Sequence, residues 1–268
     1  MTKQWSFTDI EFSVMWERIA HRERIPRPLT YLARTSSAEE YARATYLTWE
    51  RLREELDPVM WDVIAVLARS EIRFRSRAWC DADPADPKLW IRARAGRTGM
   101  HGYVVVQTPG ETREHSGGYT VIDCGARGIA EVLVGMLPQV QAGSQSDIPI
   151  QLEPVREANN GMDSMSMVSV FDSEDTSTVS RADQFWAQQA TRTGLIIIEQ
   201  GISKFGPQGR QQELMIWRDL PDDGRYVIAH PAANPVAVGM DARRMTATLD
   251  ATIDKIVDRV ETHWEMVP

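Results

Sequence analysis

The sequence predicts an α+β protein of two quasi-duplicated halves, each of antiparallel strands flanked by helices, joined in one central sheet. Three observations carry that reading. Between Ile72 and Ala95 apolar and charged residues alternate with period two, the mark of strands with one buried face. On either side of that region, apolar residues recur at helical spacing behind recognisable start signals. The order helix, several strands, closing helix then occurs twice, with Ala126-Arg127 and Leu133 in phase with Ala242-Arg243 and Leu249. The halves are expected to span residues 1–140 and 141–268.

Taken in order, Thr8 to Glu11 reads as a capping box, and Phe12, Met15, Trp16 and Ile19 form the apolar stripe of a first helix. Pro26 and Pro28 stop helical structure. A second capping box, Ser37 with Glu40, opens a stripe of Ala38, Tyr41, Ala42, Thr45, Trp49, Leu52 and Leu56. Asp57 and Pro58 read as N-cap and first residue of a third helix, to about Ala68.

The alternating hairpin follows. With Cys80 opposite Leu89, Trp79 faces Trp90, Arg77 faces Arg92 and Arg75 faces Arg94. Slipping this register by one residue would bury every arginine, so the two faces are well specified. Ile72, Phe74, Ala78, Ile91, Ala93 and Ala95 make the core face. Arg73, Arg75, Arg77, Arg92 and Arg94 make the other, a basic patch topped by two indoles. Like charges directly opposite each other destabilise a sheet, so such a face needs compensation. A solvated or ion-paired face is the plain reading. A binding surface is the sharper one, since Trp and Arg are enriched at binding hot spots.

Strands at Gly102–Thr108 and Tyr119–Cys124 extend the sheet, and Gly125 leads into a helix with Ile129, Val132, Leu133, Met136 and Leu137 on one side. Pro138 to Asp147 is a linker by composition. Asn159 to Ser180 is expected to be a mobile loop with a short strand at Met167–Phe171. Ser180 caps a helix to about Arg192, ended by Gly194. Leu195–Lys204 and Gln211–Trp217 read as strands, Leu220 to Gly224 as a turn, and Arg225–His230 as the returning strand, with a short one near Pro235–Val238. Asp241 caps a last helix whose stripe is Met245, Leu249, Ile253, Ile256, Val260 and Trp264.

Composition narrows the function. The 268 residues are 43% hydrophobic, enough for a sizeable core. A net charge of −8 opposes general binding to nucleic acid phosphate. The apolar run Ile129–Leu137 is far too short to span a membrane. With no apolar signal segment after Met1, and with Cys80 and Cys124 on separate strands, a cytoplasmic protein with reduced thiols is expected. No C-x-x-C or H-E-x-x-H occurs, and His21, His101, His115, His230 and His263 are scattered. Gly201 to Phe205 starts like a nucleophile elbow but lacks its final Gly. Gly125-Ala126-Arg127-Gly128 follows a strand as phosphate loops do, without the P-loop Lys. No cofactor or metal is therefore expected. The enzyme alternative rests on a small-molecule cleft between the halves near Cys124–Gly128; a structural subunit of a permanent complex is a third class.

Several local features resemble one family. Leu67-Ala68 closes a helix just before the charged strand, and Leu137-Pro138 ends the mid-chain helix ahead of Gly143. Trp217-Arg218-Asp219 is followed by Asp223-Gly224-Arg225-Tyr226, then by Pro231-Ala232 and the long final helix. In these residues and in the order of elements the chain resembles the EspG family of ESX type VII secretion-associated proteins. The resemblance implies a cytosolic chaperone that binds the apolar helical tip of the PPE subunit in a PE–PPE heterodimer and presents it to the secretion machinery. It places the binding surface on the central sheet, on the loop joining the early strands and on the C-terminal helical part. Here that loop is Asp81–Lys88. The implied partner-binding residues are Arg75, Arg77, Trp79, Asp81, Asp83, Asp86, Lys88, Trp90, Arg92 and Arg94.

Overall fold

The computed structural model describes residues 3–22, 24–150, 176–201, 210–230 and 235–265. The first half runs β1 (Gln4–Phe7), α1 (Asp9–Ala20), α2 (Ala38–Glu55), α3 (Met60–Arg69), β2 (Ile72–Trp79), β3 (Ile91–Thr98), β4 (His101–Pro109), β5 (Ser116–Asp123) and α4 (Ile129–Gly135). The second runs β6 (Ile148–Pro149), α5 (Thr176–Ala187), β7 (Arg192–Gln200), β8 (Gln212–Leu220), β9 (Gly224–His230), β10 (Val236–Gly239) and α6 (Ala242–Glu265). All ten strands form one antiparallel sheet in the order β1-β5-β4-β3-β2-β7-β8-β9-β10-β6. Each half is thus an edge strand, helical material, a four-strand meander and a closing helix. The halves join where β2 pairs with β7, from Ile72 opposite Gln200 to Trp79 opposite Thr193.

One face of the sheet carries a core that runs through both halves. Phe74, Ala93, Ala95, Val104, Ile196, Met215 and Trp217 pack there against Ile129 and Leu133 of α4 and Met245, Leu249, Ile253 and Ile256 of α6. Leu133 and Leu249, in phase in the sequence, are both fully buried, and α4 and α6 touch each other. The opposite face is covered in two separate pieces. Phe12, Trp16, Met60, Ile64 and Leu67 of α1 and α3 cover the first half; Phe185 of α5 packs on Ile216, Tyr226 and Ile228 of the second.

The start signals work largely as expected. Thr8 and Glu11 form a reciprocal capping box on α1. Ser37 accepts from the Glu40 amide at 3.1 Å, but the Glu40 carboxylate reaches back to Ser36 rather than to Ser37. Asp241 accepts from the Arg244 amide at 2.8 Å and caps α6. The Asp57 carboxylate takes the Val59 amide and holds a turn, so α3 starts at Met60 instead of Pro58.

Several elements differ from the sequence reading or add to it. The α2 stripe is not a core stripe: only Leu52 is buried, because α2 packs on α1 rather than on the sheet. α5 begins at Thr176, inside the stretch read as a loop to Ser180, and ends at Ala187 instead of about Arg192. Gly194 ends no helix; it sits inside β7 opposite Trp217. A Cβ there would lie 2.5 Å from the Trp217 ring, so this glycine makes room for a buried indole. β6, only two residues long, has no counterpart in the sequence reading. The expected strand at Met167–Phe171, the strand end at Lys204 and the side chains of Val260 and Trp264 lie outside the described residues.

The shared core sets a test. Leu133→Ala and Leu249→Ala are each expected to cost about 2–5 kcal/mol in denaturant unfolding. Losses under about 1 kcal/mol at both positions would place these helices off the core.

Candidate partner-binding surface

The β2–β3 hairpin has the expected register, with Arg75 opposite Arg94, Arg77 opposite Arg92 and Ala78 opposite Ile91. Beyond its last pair the Trp79 and Trp90 rings lie 5.9 Å apart. The Arg77 guanidinium sits 5.9 Å from the Trp79 ring. Arg92 and Arg113 each lie 4.6 Å from the Trp90 ring. Cation–π contact and shared exclusion of water hold these flat groups together.

A uniformly solvent-facing basic patch does not form, and that expectation is corrected. β2 alternates buried and half-buried along its length, with Arg75, Arg77 and Trp79 half-exposed. On β3, however, Arg92 and Arg94 are only 8% exposed. The chain between Pro26 and Thr30 crosses them. Arg94 donates to the Arg27 carbonyl at 3.0 Å, and Arg92 to the Arg113 carbonyl at 2.6 Å and to the Thr30 hydroxyl at 2.9 Å. Gln107 secures the crossing, accepting from the Thr30 amide and donating to its hydroxyl. Carbonyl oxygens thus supply the compensation that paired arginines need.

The Asp81–Lys88 loop divides by role. Asp81 faces inward: its carboxylate takes the Ala190 amide at 3.1 Å and Arg218 at 3.0 Å. Arg218 is buried, and also donates to the Phe185 and Gln188 carbonyls. Asp81 therefore ties the loop of the first half to the end of α5 in the second. Asp83 accepts from the amides of Ala85 and Asp86, and Asp86 caps the single helical turn Pro87–Leu89. The Trp90 indole N–H donates to the Pro84 carbonyl at 3.0 Å, fixing the loop over the ring. Lys88 is exposed. Pro87, Trp90, Arg92, Gln107 and His115 line a small recess beside it.

Between the two helical covers the middle of this face stays partly open. Its floor is Arg75 and Arg77 on β2 with Ile197 and Glu199 on β7 and Leu214 on β8, all half-buried. Arg75 pairs with Glu199 at 3.1 Å. Burial first, and then the neighbouring charge of Arg73, push the Arg94 guanidinium down to about 10. Such a seam offers apolar floor, flat aromatic anchors and a field that attracts carboxylates. Arg113, Glu199, Ile197 and Leu214 were not singled out in the sequence. Only the pairing of β2 with β7 brings the last three to the arginines.

Cys124, named in the enzyme alternative, is bonded through its amide and its thiol to the Gly102 carbonyl. Burial, aided by the charge of Asp123, pushes its thiol up to about 12. Among the described residues no cluster of three His, Cys, Asp or Glu side chains could hold a metal ion. No described helix is long and apolar enough to cross a membrane.

Two outcomes follow. Asp81→Ala is expected to lower stability by about 2 kcal/mol, because it strands a buried guanidinium, whereas Asp83→Ala costs under about 1 kcal/mol. Parallel urea melts decide. With its thiol raised to about 12, Cys124 stays protonated at pH 8, where a free thiol is partly ionised. Iodoacetamide should therefore modify native Cys124 far more slowly than a free cysteine and at the free rate after unfolding, read by peptide mass. Fast native labelling would mean an activated thiol.

Comparison with known proteins agrees with the architecture. No curated protein matches the chain. Among solved structures, the Mycobacterium tuberculosis type VII secretion system chaperone EspG5, in complex with the PE25-PPE41 dimer, superposes with a TM-score of 0.59 at 11% identity, covering 96% of both chains. At that identity the likeness concerns the fold alone. A family model, that of the EspG family, matches residues 8–251. That match spans most of the chain, the hairpin and both halves included: the chain belongs to the EspG family.

Proposed function

We propose that this protein is a type VII secretion chaperone that binds a PE–PPE heterodimer through the seam between its halves. The observation that carries the reading is the half-open stretch of β2 and β7, where Arg75, Arg77 and Trp79 lie beside Ile197 and Glu199, in a member of the EspG family. Support for the partner comes from EspG5, whose structure was solved with the PE25-PPE41 dimer.

The mechanism is physical. An exposed apolar helix tip on a secreted protein is an aggregation hazard, and a chaperone removes it by covering it. Trp79 and Trp90 supply rigid apolar area at one end of the seam, and Ile197 and Leu214 continue the floor. The arginines meet carboxylates or helix-end carbonyls of the PPE tip, which favours a tip with acidic residues or a helix C-terminus. Asp86 and Lys88 contribute at the rim, while Asp81 and Asp83 act by shaping the loop. Arg92 and Arg94 act from beneath, through the field they create. Covering the tip in the cytoplasm and releasing it at the secretion machinery requires reversible binding, which suits an interface of ordinary size.

Titration calorimetry and stopped-flow against a purified PE–PPE heterodimer test the reading. Trp79→Ala and Trp90→Ala are each expected to weaken binding by about 2 kcal/mol or more. Arg77→Glu should mainly slow association, and more so at low salt. Wild-type affinity in all three would remove the seam from the interface.

A further inference from the structure

The row of arginines continues to the start of β2, at the end of the sheet away from the indoles. Arg73 stands six residues from Trp79, roughly 20 Å along the strand. It shares a face with Arg75 and lies opposite Gly96 of β3 and Glu199 of β7. Arg94, opposite Arg75, is its diagonal neighbour. Two more arginines come from elsewhere in the chain. Arg22 follows the His21 cap of α1, and Arg210 leads into β8. Both are exposed.

These groups act on one another. Burial lowers the Arg73 guanidinium from its ordinary value; Glu199 opposes that, while Arg210 and Arg22 add to it. Burial, Arg73, Arg75 and Arg22 all act the same way on Arg94. Glu199 is the carboxylate that both feel, but its hydrogen bond goes to Arg75 at 3.1 Å. Glu71 accepts instead from the Gly99 amide at 3.1 Å. The Arg27 carbonyl takes one N–H of Arg94. Among the described residues, the Nε atoms of Arg73 and Arg94 are buried with no acceptor, and the Arg73 side chain donates no hydrogen bond. Yet Arg73 is half-exposed, so its guanidinium remains within reach of solvent. Glycine lies on either side of it: Gly96 across the strand pair, and Gly201, whose Cβ would lie 3.0 Å from the Arg73 Nε.

We propose that Arg73 and Arg94, with Arg22 and Arg210 at the rim, form a binding site for a phosphate-type oxyanion. Charge that is partly buried without a counter-charge is costly, and a bound anion removes that cost. The chemistry favours phosphate over a single carboxylate. A phosphate group carries about −1.5 to −2 charges near neutral pH and offers several acceptor oxygens. Planar guanidinium groups from four segments match such oxygens in pairs. The anion would tie Arg22, Arg73 and Arg94 of the first half to Arg210 of the second. The site stands apart from the chaperone reading, since it needs only these arginines.

Titration calorimetry of the full chain at constant ionic strength, with chloride as the balancing ion, tests this. The probes are inorganic phosphate and glycerol 3-phosphate, a simple ester. Inorganic phosphate should bind saturably at one site and raise the melting temperature with its concentration. Binding of inorganic phosphate alone supports a site for the free anion; equal or tighter binding of the ester supports one for the phosphate group of a larger molecule. Arg210→Gln should weaken binding by about tenfold or more, the effect of one charge-assisted hydrogen bond. Arg73→Gln should abolish saturable binding. Arg243→Gln, the same charge change at an exposed position on α6, should bind as the wild type does. In chloride alone, Arg73→Gln should melt at the wild-type temperature or higher, because it removes a like charge. A clear loss of stability there would mean that Arg73 already has its counter-charge, and would overturn the proposal. So would the absence of saturable binding of both probes, affinity unchanged in Arg73→Gln and Arg210→Gln, or an equal loss in Arg243→Gln.

Discussion

The second half of the molecule is organised around one buried ion pair. Asp219 and Arg225 are almost wholly excluded from solvent and meet through two parallel hydrogen bonds of 2.7 and 2.8 Å. The guanidinium also donates to the Pro138 carbonyl at 2.9 Å and lies 4.8 Å from the Trp217 ring. Around it the Arg225 backbone receives the linker: its amide donates to Gln141, and its carbonyl accepts from Gly143 and Met240. One residue therefore holds β8, β9, the inter-half connection and the approach to α6. Removing either charge would leave the other buried and uncompensated, which proteins tolerate poorly. A second anchor lies beside it. Burial would raise the Asp223 carboxyl, but bonds from Tyr226, Ser144 and Gln145 outweigh that and hold it below the usual range. The segment Trp217 to Tyr226, which carries part of the family resemblance in the sequence, is thus a structural lock.

That lock matters for the seam because β8 reaches it from the other side. Arg218, next to Asp219, points to the opposite face and grips Asp81 and the end of α5. Alternate residues of one strand thereby fasten the linker on one side and the hairpin loop on the other. The loop is held at both ends, by Asp81 on Arg218 and by the Trp90 indole on Pro84, so the Trp90 ring is fixed in place.

Much of this was legible in the chain itself. Strict alternation in β2 and β3 specified the register of Arg75, Arg77, Arg92 and Arg94, because a one-residue slip would have exchanged the faces. Leu133 and Leu249 were legible as equivalent core positions from helical phase. The shielding of Arg92 and Arg94 was not, because the oxygens responsible come from Arg27, Thr30 and Arg113, remote in sequence and on segments without periodicity. Asp81 looked like its neighbours Asp83 and Asp86 until β8 brought Arg218 to it. Gly194 carried the local mark of a helix end, and only the cross-strand indole of Trp217 explains it. Local pattern specified elements and faces; long-range pairing decided which polar groups stay within reach of solvent.

The pairing of β2 with β7 puts the pseudo-two-fold axis through the middle of the seam. A perfectly symmetric seat would accept one ligand in two opposite orientations at equal energy. Here the two sides are furnished differently. On one lie the paired indoles and the chain crossing at Pro26 to Thr30; on the other, Leu214 and the α5 cover. Duplication supplies the width of the platform, and the unequal furnishing supplies its polarity. Any elongated body laid along the seam would therefore meet different groups at its two ends before making any specific contact.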